Sequence, residues 1–137
     1  MCNGRGLSYA SQDILAVHGG LHANFLDLAG DSSSDDFDEA IALLQWDNRV
    51  KCIFVNIFGG VFQNTAFMRG IIDNVKKNRL TKPIVIRMRG DDEASAKKLL
   101  DQYVETLDND SKIRDQIHFE LDFNKAAKLA VEITNSR

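Results

Sequence analysis

Val50-Lys51-Cys52-Ile53-Phe54-Val55-Asn56-Ile57-Phe58-Gly59-Gly60 decides the fold. Residues 50–58 are almost continuously apolar and rich in β-branched and aromatic side chains, the pattern of a parallel strand covered on both faces. Two glycines then release the chain into a helical period, Phe67, Met68, Ile71, Ile72 and Val75, closed by the basic residues Lys76-Lys77-Asn78-Arg79. Basic residues at that point complement the negative end of the helix dipole. Pro83-Ile84-Val85-Ile86-Arg87-Met88 follows as a second strand, with proline in the first position, where a missing donor is tolerated. One strand–helix–strand unit is thus legible in about forty residues.

Outward from that unit the alternation continues. Upstream, Leu7, Ala10, Ile14 and Val17 recur at three- and four-residue steps, and Gly19-Gly20 ends the helix they predict. Residues 23–28 read as a short strand. A serine of the polar loop 30–34 is placed to cap the next helix, whose stripe is Phe37, Ala40, Ile41 and Leu44. The acidic run 31–38 reads as a solvated helix start, and Trp46 as a packing residue or a partner-facing anchor. Downstream, Gly90-Asp91-Asp92 leads into a helix carrying Leu99, Leu100, Tyr103, Val104 and Leu107. Residues 108–116 read as an exposed connection and 117–121 as a last strand. Asp122 is placed to cap a final helix through Ala126, Ala127, Leu129, Ala130 and Ile133. Strand and helix alternating throughout predict an α/β fold, a doubly wound, mostly parallel sheet of flavodoxin-like order with helices on both faces. The chain opens at Met1-Cys2-Asn3-Gly4, already at the turn that follows a strand, so a first strand is expected before Met1 in the natural chain.

Composition narrows the function classes. The 137 residues are 44% hydrophobic and 27% charged with a net charge of -3. These values suit one soluble domain and give no general attraction to nucleic acid or an anionic membrane. No apolar run approaches the roughly 20 residues of a membrane span, and no leader pattern opens the chain. Cys2 and Cys52 lack metal-ligand spacing and read as free thiols of a reducing compartment. His18, His22 and His118 are scattered, and no Ser/His/Asp set or metal cluster assembles around them, so neither a catalytic nor a metal-ligating residue is expected.

In open α/β sheets, ligands bind beyond the carboxyl ends of the strands. Four glycine-containing loops occupy that position: Asn3-Gly4-Arg5-Gly6, Ala29-Gly30-Asp31, Gly59-Gly60-Val61-Phe62-Gln63-Asn64 and Arg89-Gly90-Asp91. The Gly59-Gly60 turn joins a buried strand to a helix, whose first amides carry about half a positive charge and suit a carboxylate or phosphate. Double glycines also end strands for steric reasons alone, so the turn by itself leaves both readings open. Gly4-Arg5-Gly6 with Asp27 mimics a dinucleotide fingerprint, but Tyr9 stands where the third glycine belongs, and its bulk opposes close helix–strand packing. A phospho-receiver reading fails because Ile57-Phe58-Gly59 supplies no aspartate.

Asn3-Gly4-Arg5-Gly6-Leu7, His18-Gly19-Gly20, Ala23-Asn24-Phe25-Leu26-Asp27 and Val55-Asn56-Ile57-Phe58-Gly59-Gly60 together resemble the C-terminal domain of succinate–CoA ligase (succinyl-CoA synthetase) β subunits. Gly70-Ile71-Ile72, Pro83-Ile84-Val85-Ile86-Arg87 and Ala96-Lys97-Lys98-Leu99-Leu100 extend the resemblance over nearly the whole chain. It implies a heterodimeric ligase of the tricarboxylic acid cycle that joins succinate to CoA at the expense of ATP or GTP. The products are succinyl-CoA, a nucleoside diphosphate and phosphate. Residues 1–137 would be the flavodoxin-like part that docks on the α subunit, whose histidine carries the phosphoryl group. A nucleotide-binding ATP-grasp domain with its magnesium would precede Met1. Asn3, Gly60, Val61 and Phe62 would contact the substrate, and the helix start at Gly59, Gly60, Gln63 and Asn64 would face the phosphohistidine. No metal or nucleotide is implied in this domain, turnover is not expected from it alone, and the compartment implied is the mitochondrial matrix or a bacterial cytoplasm. Val61-Phe62-Gln63-Asn64-Thr65 is bulkier than the corresponding family loop and lacks its arginine, which suggests Arg5 or Arg89 as a substitute charge. The same departures favour two alternatives: a related acyl-CoA synthetase for another acid such as malate or acetate, or a non-catalytic flavodoxin-like binding module.

Overall fold

The computed structural model describes residues 1–28, 32–60, 63–78, 80–107 and 111–137, with Ser111 described by its backbone only. The elements in chain order are α1 (Arg5–Val17), α2 (Ser34–Trp46), β1 (Ile53–Gly59), α3 (Asn64–Asn78), β2 (Ile84–Gly90), α4 (Glu93–Glu105), α5 (Ser111–Arg114), β3 (Ile117–Phe119) and α6 (Phe123–Asn135). β1, β2 and β3 form a parallel sheet in that order, with Ile53 opposite Ile84 and Gly59 opposite Gly90. Cys2 extends the sheet beyond β1, bridging Asn56 on one side and Asp27 on the other, both in parallel. With the bridged segments counted as lanes, the order across the sheet is 26–28, 1–2, β1, β2, β3. The chain therefore reverses its direction of growth beside Cys2, as the flavodoxin-like expectation requires.

The sheet divides two cores because alternate residues of a strand face opposite layers. Ile53, Val55 and Ile57 with Ile84, Ile86 and Met88 pack under α2, α3 and α4. Phe54 and Val85 pack on Ala126, Ala127 and Ala130 of α6, with Ile14 and Leu15 of α1 alongside. Both faces of β1 and β2 are thus covered, the reason their sequences read as apolar runs. Within the first layer, α2 and α3 meet at Gly70, where an added Cβ would fall 2.7 Å from the Phe37 Cβ. The same pair is locked by a buried polar chain. Gln45 Nε2 donates to Asn74 Oδ1 at 2.8 Å, and Asn74 Nδ2 donates to the Asp38 carbonyl oxygen at 2.9 Å.

Several sequence expectations are corrected. Residues 23–28 make a single bridge at Asp27 instead of a strand, because the lane beside them offers only Cys2 as a partner. β1 begins at Ile53 and not at Val50. Ile53 N–H donates to the Pro83 carbonyl, and Pro83, having no N–H, ends the ladder there. Within residues 108–116 the helix α5 forms, and it buries Ile113. Tyr9 is 57% exposed and points away from the sheet, while Ser8 and Ser11 take the buried positions of α1. The bulk of Tyr9 therefore does not impede helix–strand packing. Trp46 is 81% exposed, which removes the packing alternative for that side chain. No helix among the described residues is long and apolar enough to cross a membrane.

Candidate functional site

The carboxyl ends of the strands gather Asn3, Gly59, Gly60, Gln63 and Asn64 at one edge. Val61 and Phe62, named above with them, lie outside the described residues. Asn3 sits at the end of the Cys2 lane and grips β1 in both directions: its Nδ2 donates to the Phe58 carbonyl at 2.8 Å, and its Oδ1 accepts from the Phe58 N–H at 2.9 Å. Its side chain thereby continues the sheet where its own backbone turns away. Gly4 N–H donates to Asp27 Oδ1 at 2.7 Å, so Asp27 ties this turn to the outer lane. Gly4 itself has φ +132, a backbone conformation open chiefly to glycine.

Gly59 is buried and Gly60 exposed. A Cβ on Gly59 would lie 2.8 Å from Asn64 Nδ2, so the turn closes onto the first residue of α3. Gln63 is exposed, and its carbonyl accepts from Ala66 N–H at 3.0 Å, opening the helix. Asn64 is fully buried: its Nδ2 donates to the Arg89 carbonyl at 3.1 Å, and its Oδ1 has no hydrogen-bond partner among the described residues.

The two leading amides of α3 are occupied. Asn64 N–H donates to Asp92 Oδ1 at 2.9 Å, and Thr65 N–H donates to Asp92 Oδ2 at 3.0 Å. Burial opposes ionisation of Asp92, but the hydrogen bonds from Thr65 and Asn64 outweigh it and hold the carboxyl below the usual carboxylate range. Asp92 stands at the start of α4 by position, yet it makes no side-chain cap there. Gly90 allows this crossing. Its φ is +127, and an added Cβ would meet the Gly59 carbonyl oxygen at 2.1 Å, so the turns after β1 and β2 lie back to back. Glu93 fastens the second turn, accepting from Gly90 N–H at 3.2 Å and pairing with Arg89 at 3.3 Å. Arg89 is thus engaged within its own turn.

Sequence reasoning missed Asp92. The signal available was two acids directly after a strand-ending glycine, and nothing local distinguishes a cap for α4 from a cap for α3. It also missed a polar chain under the edge on the α1 face. Asn56 is fully buried inside β1; its Nδ2 donates to Ser11 Oγ at 2.9 Å, and its Oδ1 accepts from Arg87 Nη1 at 2.8 Å. Elsewhere, His18 Nε2 meets Asn124 Oδ1 at 2.8 Å, burial lowers the His118 pKa, and burial pushes the Cys52 thiol up to about 12. A thiol so held is not ionised at neutral pH. Among the described residues no group of three or more His, Cys, Asp or Glu could hold a metal ion.

What this edge offers is a pair of amides suited to an anion and now holding an internal carboxylate. The fold and the edge together define a doubly wound α/β domain that presents helix-start donors beyond its strands. The chain belongs to the CoA-ligase family, whose profile matches residues 1–115. It is 44% identical over 102 residues to the β subunit of an ADP-forming succinate–CoA ligase of Staphylothermus marinus, covering 74% of this chain and 27% of that one. The corresponding mitochondrial subunit of Oryza sativa is 41% identical over 107 residues, covering 78% and 25%. That of Ruthia magnifica is 39% identical over 134 residues, covering 98% and 32%. The chain thus spans about a quarter to a third of the length of these relatives. A crystal structure from Pyrococcus horikoshii OT3 superposes with a TM-score of 0.75 at 20% identity, over 98% of this chain and 35% of that one, and shows the same fold.

Proposed function

We propose that this chain is the C-terminal domain of a succinate–CoA ligase β subunit, with the nucleotide-binding ATP-grasp domain and its magnesium elsewhere in the subunit. The reading is supported by family membership, and the observation that carries it is the α3 start: two helix-leading amides beside Gly59-Gly60 that already hold a carboxylate. In the intact enzyme, ATP or GTP phosphorylates a histidine of the α subunit, the phosphoryl group passes to the succinate carboxylate, and the CoA sulfur displaces phosphate. Residues of this domain position and stabilise; none acts as a nucleophile. Asn3, Gly60, Val61 and Phe62 lie against the substrate, while Gly59, Gly60, Gln63 and Asn64 turn the positive end of α3 toward the phosphohistidine. Donors fixed before reaction need no reorganisation when charge develops on them.

Asp92 adds a condition to this scheme. An external carboxylate or phosphoryl oxygen reaches the Asn64 and Thr65 amides only as the Asp92 carboxylate leaves them. The same occupancy favours a second reading, a binding module that kept the fold and lost the chemistry. Size-exclusion chromatography with light scattering separates the two when this domain is mixed with the α subunit of a succinate–CoA ligase. A one-to-one complex is the expected outcome, with no acyl-CoA formation by the domain alone. Absence of a complex both for this domain and for the full-length subunit would remove the docking role.

A further inference from the structure

Asn56 and Phe58 of β1 stand opposite Arg87 and Arg89 of β2, and by alternation all four side chains face the layer of α1 and α6. Both helices begin at the carboxyl edge, at Arg5 and Phe123, and run back along the sheet. They cover Phe54 and Val85 but not the last residues of the strands, so Phe58 is 59% exposed although β1 is an interior lane. The sheet surface left open beside the two helix starts carries Phe58 and the two arginines.

The arginines differ in how their charge is met. Arg89 pairs with Glu93 at 3.3 Å. Arg87 is half-buried and has no ion pair among the described residues. Three neighbours fix its guanidinium: Nη1 donates to Asn56 Oδ1 at 2.8 Å, Nε donates to the Leu121 carbonyl at 3.3 Å, and Cζ lies 5.4 Å from the centre of the Phe123 ring. The polar chain behind it brings no negative charge. Asn56 Nδ2 donates to Ser11 Oγ at 2.9 Å, and Ser11 Oγ donates to the Leu7 carbonyl at 2.7 Å, so every donor points away from Arg87. Asp122 and Glu93 act on it only at longer range, and Asp122 is taken up by the Lys125 N–H at the start of α6. Nη2 has no hydrogen-bond partner among the described residues. Burial, with Arg89 nearby, holds the Arg87 pKa below its usual value. A guanidinium partly removed from water and fixed in direction is ordinarily met by a carboxylate or phosphate.

We propose that Arg87 anchors a second anion site, on the α1–α6 face of the carboxyl edge, which takes a carboxylate or phosphate group at Nη2 and the apolar body of the same ligand against Phe58. The site is separate from the α3 amides, which belong to the opposite face of the sheet and are occupied by Asp92. At Arg87 no internal carboxylate has to leave. Asn56, Leu121 and Phe123 hold the guanidinium in place before a ligand arrives, which lowers the ordering cost of binding. The donor-only chemistry of Arg87 admits either head group, while an exposed phenyl ring favours a ligand with a hydrocarbon part.

The test uses the chain as it stands and nuclear magnetic resonance at constant ionic strength, read at the Nε–H of Arg87 and Arg89 and at the amides of Asn64 and Thr65. Butanoate and butyl phosphate are titrated, with acetate and inorganic phosphate as their truncated forms. A saturable shift at Arg87 is expected, with the other three signals moving less, and the tighter of the two longer anions identifies the head group. Arg87→Lys keeps the charge but not the planar fork, and is expected to weaken binding by about tenfold with an unchanged circular dichroism spectrum. In Phe58→Ala, a change at an exposed position, the longer and truncated anions are expected to bind alike. That variant decides the matter should Arg87→Lys fail to fold. No saturable shift with any of the four anions overturns the proposal, as do equal shifts at Arg87 and Arg89, or saturation confined to Asn64 and Thr65. Equal binding by Arg87→Lys removes the anchoring role, and equal binding of longer and truncated anions by the parent removes the role of Phe58.

Discussion

Two helices of one layer start on a carboxylate by different routes. At α2 the device is local: Ser33 Oγ accepts from Asp36 N–H at 3.3 Å, and Asp36 Oδ2 accepts from Ser33 N–H at 2.6 Å, a reciprocal box closed within four residues. At α3 the carboxylate arrives from Asp92, 28 residues beyond the first amide it holds. The local cap depends only on the chain around it. The remote one depends on β1 and β2 being paired to their last residues, so it reports on the sheet. The α3 start is also the one set beside the glycine turn at the carboxyl edge, where a helix end that can give up its cap has a use.

The largest effect is expected from Gly90→Ala. The added Cβ would meet the Gly59 backbone, which has no flexible end to move aside, in a conformation that L side chains rarely adopt. A cost of about 3 kcal/mol or more is expected, a fall of roughly 10 °C in thermal midpoint for a domain of this size. Amide exchange should rise at Asn64 and Thr65 far more than at Asp36. Equal rises at both helix starts would break the distinction between them.

Asp92→Ala comes next. It leaves the Asn64 and Thr65 amides without their acceptor, and loss of a capping carboxylate costs about 1–2 kcal/mol, read as a lower urea midpoint at unchanged slope. The comparison sharpens if inorganic phosphate recovers part of that loss in the variant and little in the parent, since the parent's amides are occupied. No phosphate effect in either form would argue that the freed amides are closed to solutes. Ser33→Ala, smaller at about 1 kcal/mol, removes the acceptor of Asp36 N–H and the hydroxyl that donates to Asp36 Oδ2 at 2.8 Å, and should be indifferent to phosphate.

The difference between the caps also marks what the sequence could disclose. Ser33 and Asp122 are legible as caps because acceptor and amide lie three residues apart; Asp122 does accept from Lys125 N–H at 2.8 Å. The strands around Val55 and Ile86 are legible because burial on both faces leaves an uninterrupted apolar run. The Gly59-Gly60 turn and Asn3 reach one edge as their loops implied. Asp92 on α3, Asn3 on Phe58 and Asn56 with Arg87 were not legible. Each pairs residues 27 to 55 apart across lanes, and hydrophobic periodicity carries no term for such partners. The strand expected at 23–28 failed for the same reason: its residues suit a strand, but its ladder depends on a neighbour.

The smallest effect, and the most specific, concerns acid. Asp92 is held below the usual carboxylate range in the folded protein by bonds from Thr65 and Asn64, and Asp36 by bonds from Ser33. A depressed folded pKa contributes stability that is fully present above the unfolded carboxylate value near 4 and is lost as pH falls through the folded value. Urea midpoints of the parent should therefore be flat from about pH 7 to 5 and decline below. Asp92→Asn should lower the plateau and flatten the decline, because the amide has no proton to take up, while the share due to Asp36 remains. Removing both carboxylates, in Asp92→Asn with Asp36→Asn, should flatten it further. A steeper decline in Asp92→Asn than in the parent would mean that Asp92 is not bound to the α3 amides as an anion, and the contrast between the local and the remote cap would go with it.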